Sequence, residues 1–297
     1  MLLYHDIPTP IQRLDDNKFN INGIQVYLKR DDLIHPFVSG NKWRKLKGYL
    51  ADAREKKCRQ LVTFGGAFSN HLLATACAGA IHRFDTKAYV RGEYVDLNNP
   101  VLTMCRIYGM NLMPISKEEY SAKKSNFSPF DNNEYWINEG GFGALGTMGC
   151  AQIIDELEET YDHIICAVGT GTTLAGLIKG VEKRKTETQI HGIAVLKNAS
   201  YLNEEIEKLI QPASVNFRIH TDYCFGGYGK VNNEITDYIK YFAQRFGVLL
   251  DPIYTAKMML ATHDLIISGA FKPGQKILCI HTGGLTGMLS EKMIKKF

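Results

Sequence analysis

HIICAVGTGTTLAGLIKGVEKR, residues 163–184, holds a strand, a turn and a helix in sequence. His163 to Val168 is an apolar run with β-branched residues, and Thr173 to Arg184 carries helical periodicity. Between them Val168-Gly169-Thr170-Gly171-Thr172-Thr173 forms a glycine-rich turn that opens a helix. Glycines let the backbone close around an anion. The free N–H groups and the helix dipole favour a phosphate, and the threonine hydroxyls add donors. The turn lacks the Lys-Ser or Lys-Thr ending of a P-loop, and Leu174 stands where a dinucleotide fingerprint has its third glycine. A phosphate that does not belong to a nucleotide therefore fits best, with an unliganded tight turn as the plain alternative.

Outward from this stretch the pattern repeats. Strand-like runs at 24–29, 60–64, 86–91, 111–115, 189–195 and 276–281 alternate with helical periodicities at 41–55, 69–82, 98–109, 146–160, 201–210, 232–246, 254–268 and 285–295. Such alternation predicts an α/β protein with open, mainly parallel, twisted sheets and helices on both faces. Residues 117–145 are less regular, rich in Asn, Ser, Pro and Gly. They separate two strand–helix series, so two lobes are expected. In such sheets ligands sit at the carboxyl ends of strands, which directs attention to the strand-to-helix turns.

Composition narrows the class of protein. The chain has 297 residues, 45% hydrophobic and 22% charged, with a net charge of +4. It can bury a substantial core without staples. Lys and Arg are dispersed rather than drawn into a stripe, so a nucleic-acid partner is not expected. The seven cysteines include no Cys-x-x-Cys pair, so neither a disulfide framework nor a metal site is indicated. Cys77, Cys150, Cys166 and Cys279 sit among apolar or small residues, as buried thiols do, which fits a reducing, cytoplasmic setting. The opening MLLYHDIPTP does not read as a signal peptide, and no run approaches the apolar length of a membrane span.

Three further segments hold candidate chemistry. Phe64-Gly65-Gly66-Ala67-Phe68-Ser69-Asn70-His71 runs from a strand into a helix. Ser69 or Asn70 can cap that helix, and the N–H groups of residues 69–71 can alternatively cradle a substrate carboxylate. His281-Thr282-Gly283-Gly284 follows the last strand and allows close approach to a flat ligand. Lys42, Lys45 and Lys47 lie near the start of one helix, and their spacing means that the three do not share one direction. Lys42 follows Ser39-Gly40-Asn41 at the helix start. A helix N-terminus and a second cation lower a lysine's proton affinity, which makes Lys42 a nucleophilic amine able to bond an aldehyde.

Taken together these segments resemble the D-cysteine desulfhydrase and 1-aminocyclopropane-1-carboxylate deaminase family, within the tryptophan-synthase β-like pyridoxal-phosphate enzymes of fold type II. The resemblance rests on Pro8-Thr9-Pro10-Ile11-Gln12-Arg13-Leu14, Leu28-Lys29-Arg30-Asp31-Asp32, Gly40-Asn41-Lys42 with Arg44-Lys45-Leu46, and Ser69-Asn70-His71. It continues through Gly140-Gly141 with Ala144-Leu145-Gly146, Leu250-Asp251-Pro252-Ile253-Tyr254-Thr255 and His281-Thr282-Gly283-Gly284. It implies a large domain of residues 1–46 plus 146–297, a small domain of residues 47–145 and an active site between them. Lys42 would carry the cofactor as a Schiff base and move protons. Gly169, Thr170, Gly171, Thr172 and Thr173 would cradle its phosphate, Asn70 its 3′-oxygen, and Thr282 would face its ring nitrogen. Ser69, Asn70 and His71 would hold the substrate, Ser69 close to the reacting carbon. Tyr228 and Tyr254 match two tyrosines near the ring and would be catalytic with Lys42 and Ser69; Tyr228 and Thr255 would also touch the substrate, and Thr255 stands where the deaminase has a glutamate. A neutral residue there implies a weaker electron sink and favours β-elimination, D-cysteine giving pyruvate, sulfide and ammonia. Opening of 1-aminocyclopropane-1-carboxylate to 2-oxobutanoate and ammonia, a related reaction on another small D- or L-amino acid, and a non-catalytic ligand-binding module remain alternatives. Phe68 and the pair Phe142-Gly143 depart from the family pattern beside the expected substrate pocket. A homodimer is the assembly the resemblance implies.

Overall fold

The segment that opened the sequence reading is buried along its whole strand, His163–Val168, as a strand covered on both faces must be. The computed structural model describes residues 8–131, 133–210 and 215–297. Residues 1–7, most of the stretch read as lacking a signal peptide, lie outside them. In chain order the strands are β1 Ile11–Arg13, β2 Gln25–Lys29, β3 Gln60–Gly65, β4 Asp85–Arg91, β5 Met110–Ile115, β6 Phe130–Asp131, β7 Glu134–Ile137, β8 His163–Val168, β9 Gln189–Ala194, β10 Phe217–His220 and β11 Lys276–Ile280. They form a six-stranded sheet in the order β1-β2-β11-β8-β9-β10 and a five-stranded sheet in the order β5-β4-β3-β7-β6. Only the pairs β1–β2 and β6–β7 are antiparallel among the described residues.

The helices are α1 Asn41–Glu55, α2 Asn70–His82, α3 Pro100–Ile107, α4 Lys117–Ser125, α5 Ala144–Asp155, α6 Thr172–Arg184, α7 Leu202–Ile210, α8 Asn233–Phe246, α9 Thr255–Ile267 and α10 Glu291–Ile294. Alternate side chains of a strand face opposite ways, and β8 uses both directions. Ile165 and Ala167 pack with Phe242 of α8 and Met258 and Met259 of α9. Ile164, Cys166 and Val168 pack with Leu174 and Ile178 of α6 and Ile206 of α7. The five-stranded sheet is covered likewise. Leu61 and Ile137 meet α1 and α2, and Phe64 and Tyr89 meet Tyr120 of α4.

The anticipated strands and helices recur with small shifts at their ends, and the differences have local causes. Asn99 caps α3 just ahead of Pro100, so that helix starts later than its periodicity suggests. The region 117–145 contains α4, β6 and β7; α4 buries only Tyr120 and so shows little amphipathic pattern. The edge strands β1 and β10 span 3 and 4 residues, too short for a visible alternation. The expected helix 285–295 is a 3-10 turn, Thr286–Leu289, broken at Ser290 before α10. The domain limits implied by the resemblance, 46/47 and 145/146, fall inside α1 and α5, which pack against each other.

Candidate active site

The start of α1 is fixed by close contact with the exit of β11. Gly40 has φ +55°, and a Cβ there would lie 2.0 Å from the Thr282 carbonyl oxygen, so only glycine fits. The Asn41 N–H donates to that same oxygen at 3.2 Å. One turn on, the fully buried Arg44 donates to both Asp31 oxygens, at 2.6 and 2.8 Å, and to Glu156 at 2.7 and 3.0 Å. Lys29, also fully buried, bridges Glu156 and the Thr9 carbonyl. Two cations and two carboxylates thus neutralise one another inside the protein, the arrangement buried charges require. The residues that appeared in sequence as two short motifs, 28–32 and 40–46, are one interlocked mounting for Lys42.

The Lys42 ammonium donates to Asn41 Oδ1 at 3.0 Å, and Asn41 Nδ2 donates to Thr173 Oγ1 at 2.9 Å. The lysine is thereby linked to the glycine-threonine turn after β8. Burial, with help from the Lys45 charge, lowers Lys42 to about 7. Lys42 and Lys45 share a direction, since residues three apart on a helix are neighbours, and both charges press on His71. Lys45 donates to the Gly140 carbonyl at 3.1 Å, while Lys47 turns away to Gln152.

In the turn itself Gly171 has φ +83°, and a Cβ there would press on Ile206 at 2.7 Å. Helix α6 begins with no side chain capping its N–H groups. Thr170 and Thr172 hydroxyls lie 3.2 Å apart, and Thr172 and Thr173 are buried. Tyr254 leans over the other glycine, 3.2 Å from a Cβ built on Gly169.

On the facing loop, Ser69 caps α2, its hydroxyl accepting from the N–H of His71 and Leu72 at 3.2 and 3.3 Å. The Ser69 N–H donates to Gly66 at 3.1 Å. Two of the three N–H groups expected to face a carboxylate are thus already engaged within the loop, because serine at this position satisfies the helix end first. Asn70 Oδ1 accepts from the Thr286 N–H at 3.1 Å, and its amide donates to Gly284 at 3.4 Å. The His71 ring is buried at the base of the loop, with Nε2 against Thr63 Oγ1 at 2.8 Å and Nδ1 without a partner. Burial, then Lys42 and Lys45, keep it well below the ordinary histidine range.

Tyr254 and Tyr228 meet edge to face with hydroxyls 3.4 Å apart. Asp251 Oδ1 accepts from the N–H of Ile253 and Tyr254 at 2.9 and 2.6 Å and so seats Tyr254. Its other oxygen is buried without a partner, and burial raises the carboxyl to about 7. Lys257, unremarked in the sequence, donates to the carbonyls of Cys224 and Gly227 at 2.8 and 2.9 Å and holds the turn that carries Tyr228. Thr255 is fully buried, and its hydroxyl accepts from the Asp251 N–H at 2.7 Å. It braces the backbone and has no exposed surface with which to touch a substrate, unlike the role anticipated for it. Thr282 is buried beside Gly40, its carbonyl occupied by Asn41.

A reactive lysine between an uncapped helix start and two tyrosines defines a class, and the comparisons agree on it. A family model described as pyridoxal-phosphate dependent enzyme matches residues 2–283, and the chain belongs to that family. Within it, a Pyrococcus furiosus protein provisionally named 1-aminocyclopropane-1-carboxylate deaminase is 33% identical, over 94% of this chain and 90% of its own. A mitochondrial bifunctional D-cysteine desulfhydrase/1-aminocyclopropane-1-carboxylate deaminase of Arabidopsis thaliana is 32% identical, over 96% of this chain and 78% of its own. A crystal structure of a homologue of 1-aminocyclopropane-1-carboxylate deaminase matches with a TM-score of 0.85 and 31% identity, covering 97% of this chain and 94% of that one. The protein is therefore an enzyme whose cofactor is pyridoxal 5′-phosphate. The residues present fit that group: an amine lowered toward neutrality, and a helix start left uncapped for an anion. Among the described residues no group of His, Cys, Asp or Glu is placed to hold a metal, and no helix is long and apolar enough to cross a membrane.

Proposed function

We propose that this enzyme removes ammonia from a small amino acid by β-elimination, with D-cysteine and water giving pyruvate, sulfide and ammonia. The observation that carries the reading is Lys42, lowered to about 7 and tied through Asn41 to Thr173. When bound, pyridoxal phosphate supplies the electron sink. Near neutral pH much of the Lys42 amine is unprotonated, so it would hold the cofactor covalently and, when free, would take the α-proton at Nζ. Residues 169–173 would hold the phosphate and Asn70 the 3′-oxygen, with Thr282 as the partner of the ring nitrogen. Ser69, Asn70 and His71 form the wall at which the substrate carboxylate is oriented. The paired hydroxyls of Tyr228 and Tyr254 carry protons to and from the β-carbon side. The cleft lies between a large domain (1–46 plus 146–297) and a small one (47–145).

Elimination is preferred to ring opening because Thr282 offers a neutral hydroxyl toward the ring nitrogen, and Thr255, where the deaminase has a glutamate, places no carboxylate there. The relatives' names support 1-aminocyclopropane-1-carboxylate opening as a second reading. Seven free thiols favour a reducing compartment, the cytoplasm, and the working form is a homodimer of this chain. The test is to add D-cysteine, L-cysteine and 1-aminocyclopropane-1-carboxylate to the wild-type holoenzyme and to Lys42→Ala. Sulfide and pyruvate from D-cysteine with wild type alone support the proposal. Release of 2-oxobutanoate instead selects the second reading, and turnover undiminished in Lys42→Ala removes the lysine from its role.

A further inference from the structure

Arg91 stands beside the loop that follows β3. It ends β4, and its neighbour Val90 is the register partner of Gly65. A Cβ built on Gly66 would lie 3.6 Å from an Arg91 guanidinium nitrogen. The Tyr120 ring centroid lies 5.5 Å from the guanidinium Cζ. Arg91 is exposed, and no carboxylate among the described residues pairs with it. Glu139, whose charge reaches the same corner, is taken by Lys124 at 2.7 Å. The Tyr228 hydroxyl, presented from the turn that Lys257 holds, is raised first by burial and also by Asp251 and Glu139, and is drawn down by Tyr254 and Arg91. The guanidinium is therefore within electrostatic reach of the cleft as well as of the loop.

We propose that Arg91 receives an anionic group at the end of a substrate side chain, so that beside D-cysteine the site takes amino acids whose side chain ends in a carboxylate, sulfinate, sulfonate or phosphate ester and binds them more tightly than neutral ones of the same shape. The inference rests on the reading that residues 65–71 line the substrate site. A planar fork of donors suits such groups. The fork is open: among the described residues no hydrogen bond or ion pair engages its N–H groups, and its one side-chain neighbour of note is the Tyr120 ring.

The experiment is a titration of the holoenzyme with aspartate and asparagine, each hand separately, following the visible absorption of the bound cofactor. These two differ in charge and little in shape, and the readout needs no turnover. Aspartate of one hand should bind about 10- to 100-fold more tightly than the matching asparagine. That ratio should fall to about one in Arg91→Gln and survive in part in Arg91→Lys. Aspartate binding no tighter than asparagine, or not at all, overturns the proposal. So does an Arg91→Gln variant that weakens both equally, which would assign the guanidinium to the α-carboxylate. Failure of D-cysteine to yield sulfide would defeat the preceding reading while leaving this ratio measurable.

Discussion

The Thr286 N–H donates to the Asn70 carboxamide oxygen at 3.1 Å, and the Thr286 hydroxyl lies 2.6 Å from the same oxygen and 2.8 Å from the Phe68 carbonyl. The segment after the last strand of one sheet therefore sets the rotamer of a residue carried by the other. Asn70 cannot flip its amide without pairing an acceptor with an acceptor.

Removing that hydroxyl should loosen the cofactor. Thr286→Val keeps the shape and deletes one polar partner, so pyridoxal phosphate should bind about tenfold more weakly, the size of one oriented hydrogen bond. An absorption titration of the cofactor-free protein reads this directly. An unchanged affinity would separate Asn70 from cofactor binding.

The rate of cofactor association should report the amine of Lys42. Burial lowers it from 10.5 to about 7, and only the neutral amine attacks an aldehyde. The association rate of the cofactor-free protein should rise with pH and level off above about 7. An ordinary lysine would still be rising toward about 10. Lys45→Met removes a charge that disfavours protonation of Lys42, so the midpoint should move to higher pH. Stopped-flow measurement across pH 5–10 distinguishes the cases.

Asp31→Asn should be costly for stability. It leaves the buried Arg44 guanidinium short of a charge it meets at 2.6 Å, and breaking such a pair costs about 3–5 kcal/mol. The exposed pair Lys183–Asp155 provides the contrast, since Asp155→Asn should cost under about 1 kcal/mol. Denaturant unfolding of the three proteins checks both magnitudes.

Much of this was legible in the sequence because local physics fixes it. Strand β8 and helix α6 announce themselves by period and by the glycines between them, and α1 falls where its apolar face begins. Lys42 stands out through its place at a helix start. What was not legible depends on residues far apart in the chain. Nothing near Lys257 shows that it holds the Tyr228 turn through two carbonyls. Asp251 looks like an ordinary turn acid until its second oxygen is found buried without a partner. Thr255 matches a position in a family pattern, yet only the backbone N–H of Asp251 reveals how its hydroxyl is used. Short strands such as β1 and β6 lack the length for a pattern, and pairing alone defines them.

The division of labour proposed for the two sheets has an evolutionary consequence. Lys42 is mounted against the end of β11, and the Gly169–Thr173 turn leaves β8, both on the six-stranded sheet. Phe68, Ser69 and Arg91 belong to the five-stranded one. Mutations accumulating in the second can alter which amino acid is admitted while the first keeps its chemistry intact. A lineage built this way can change its diet in small steps without passing through an inactive ancestor.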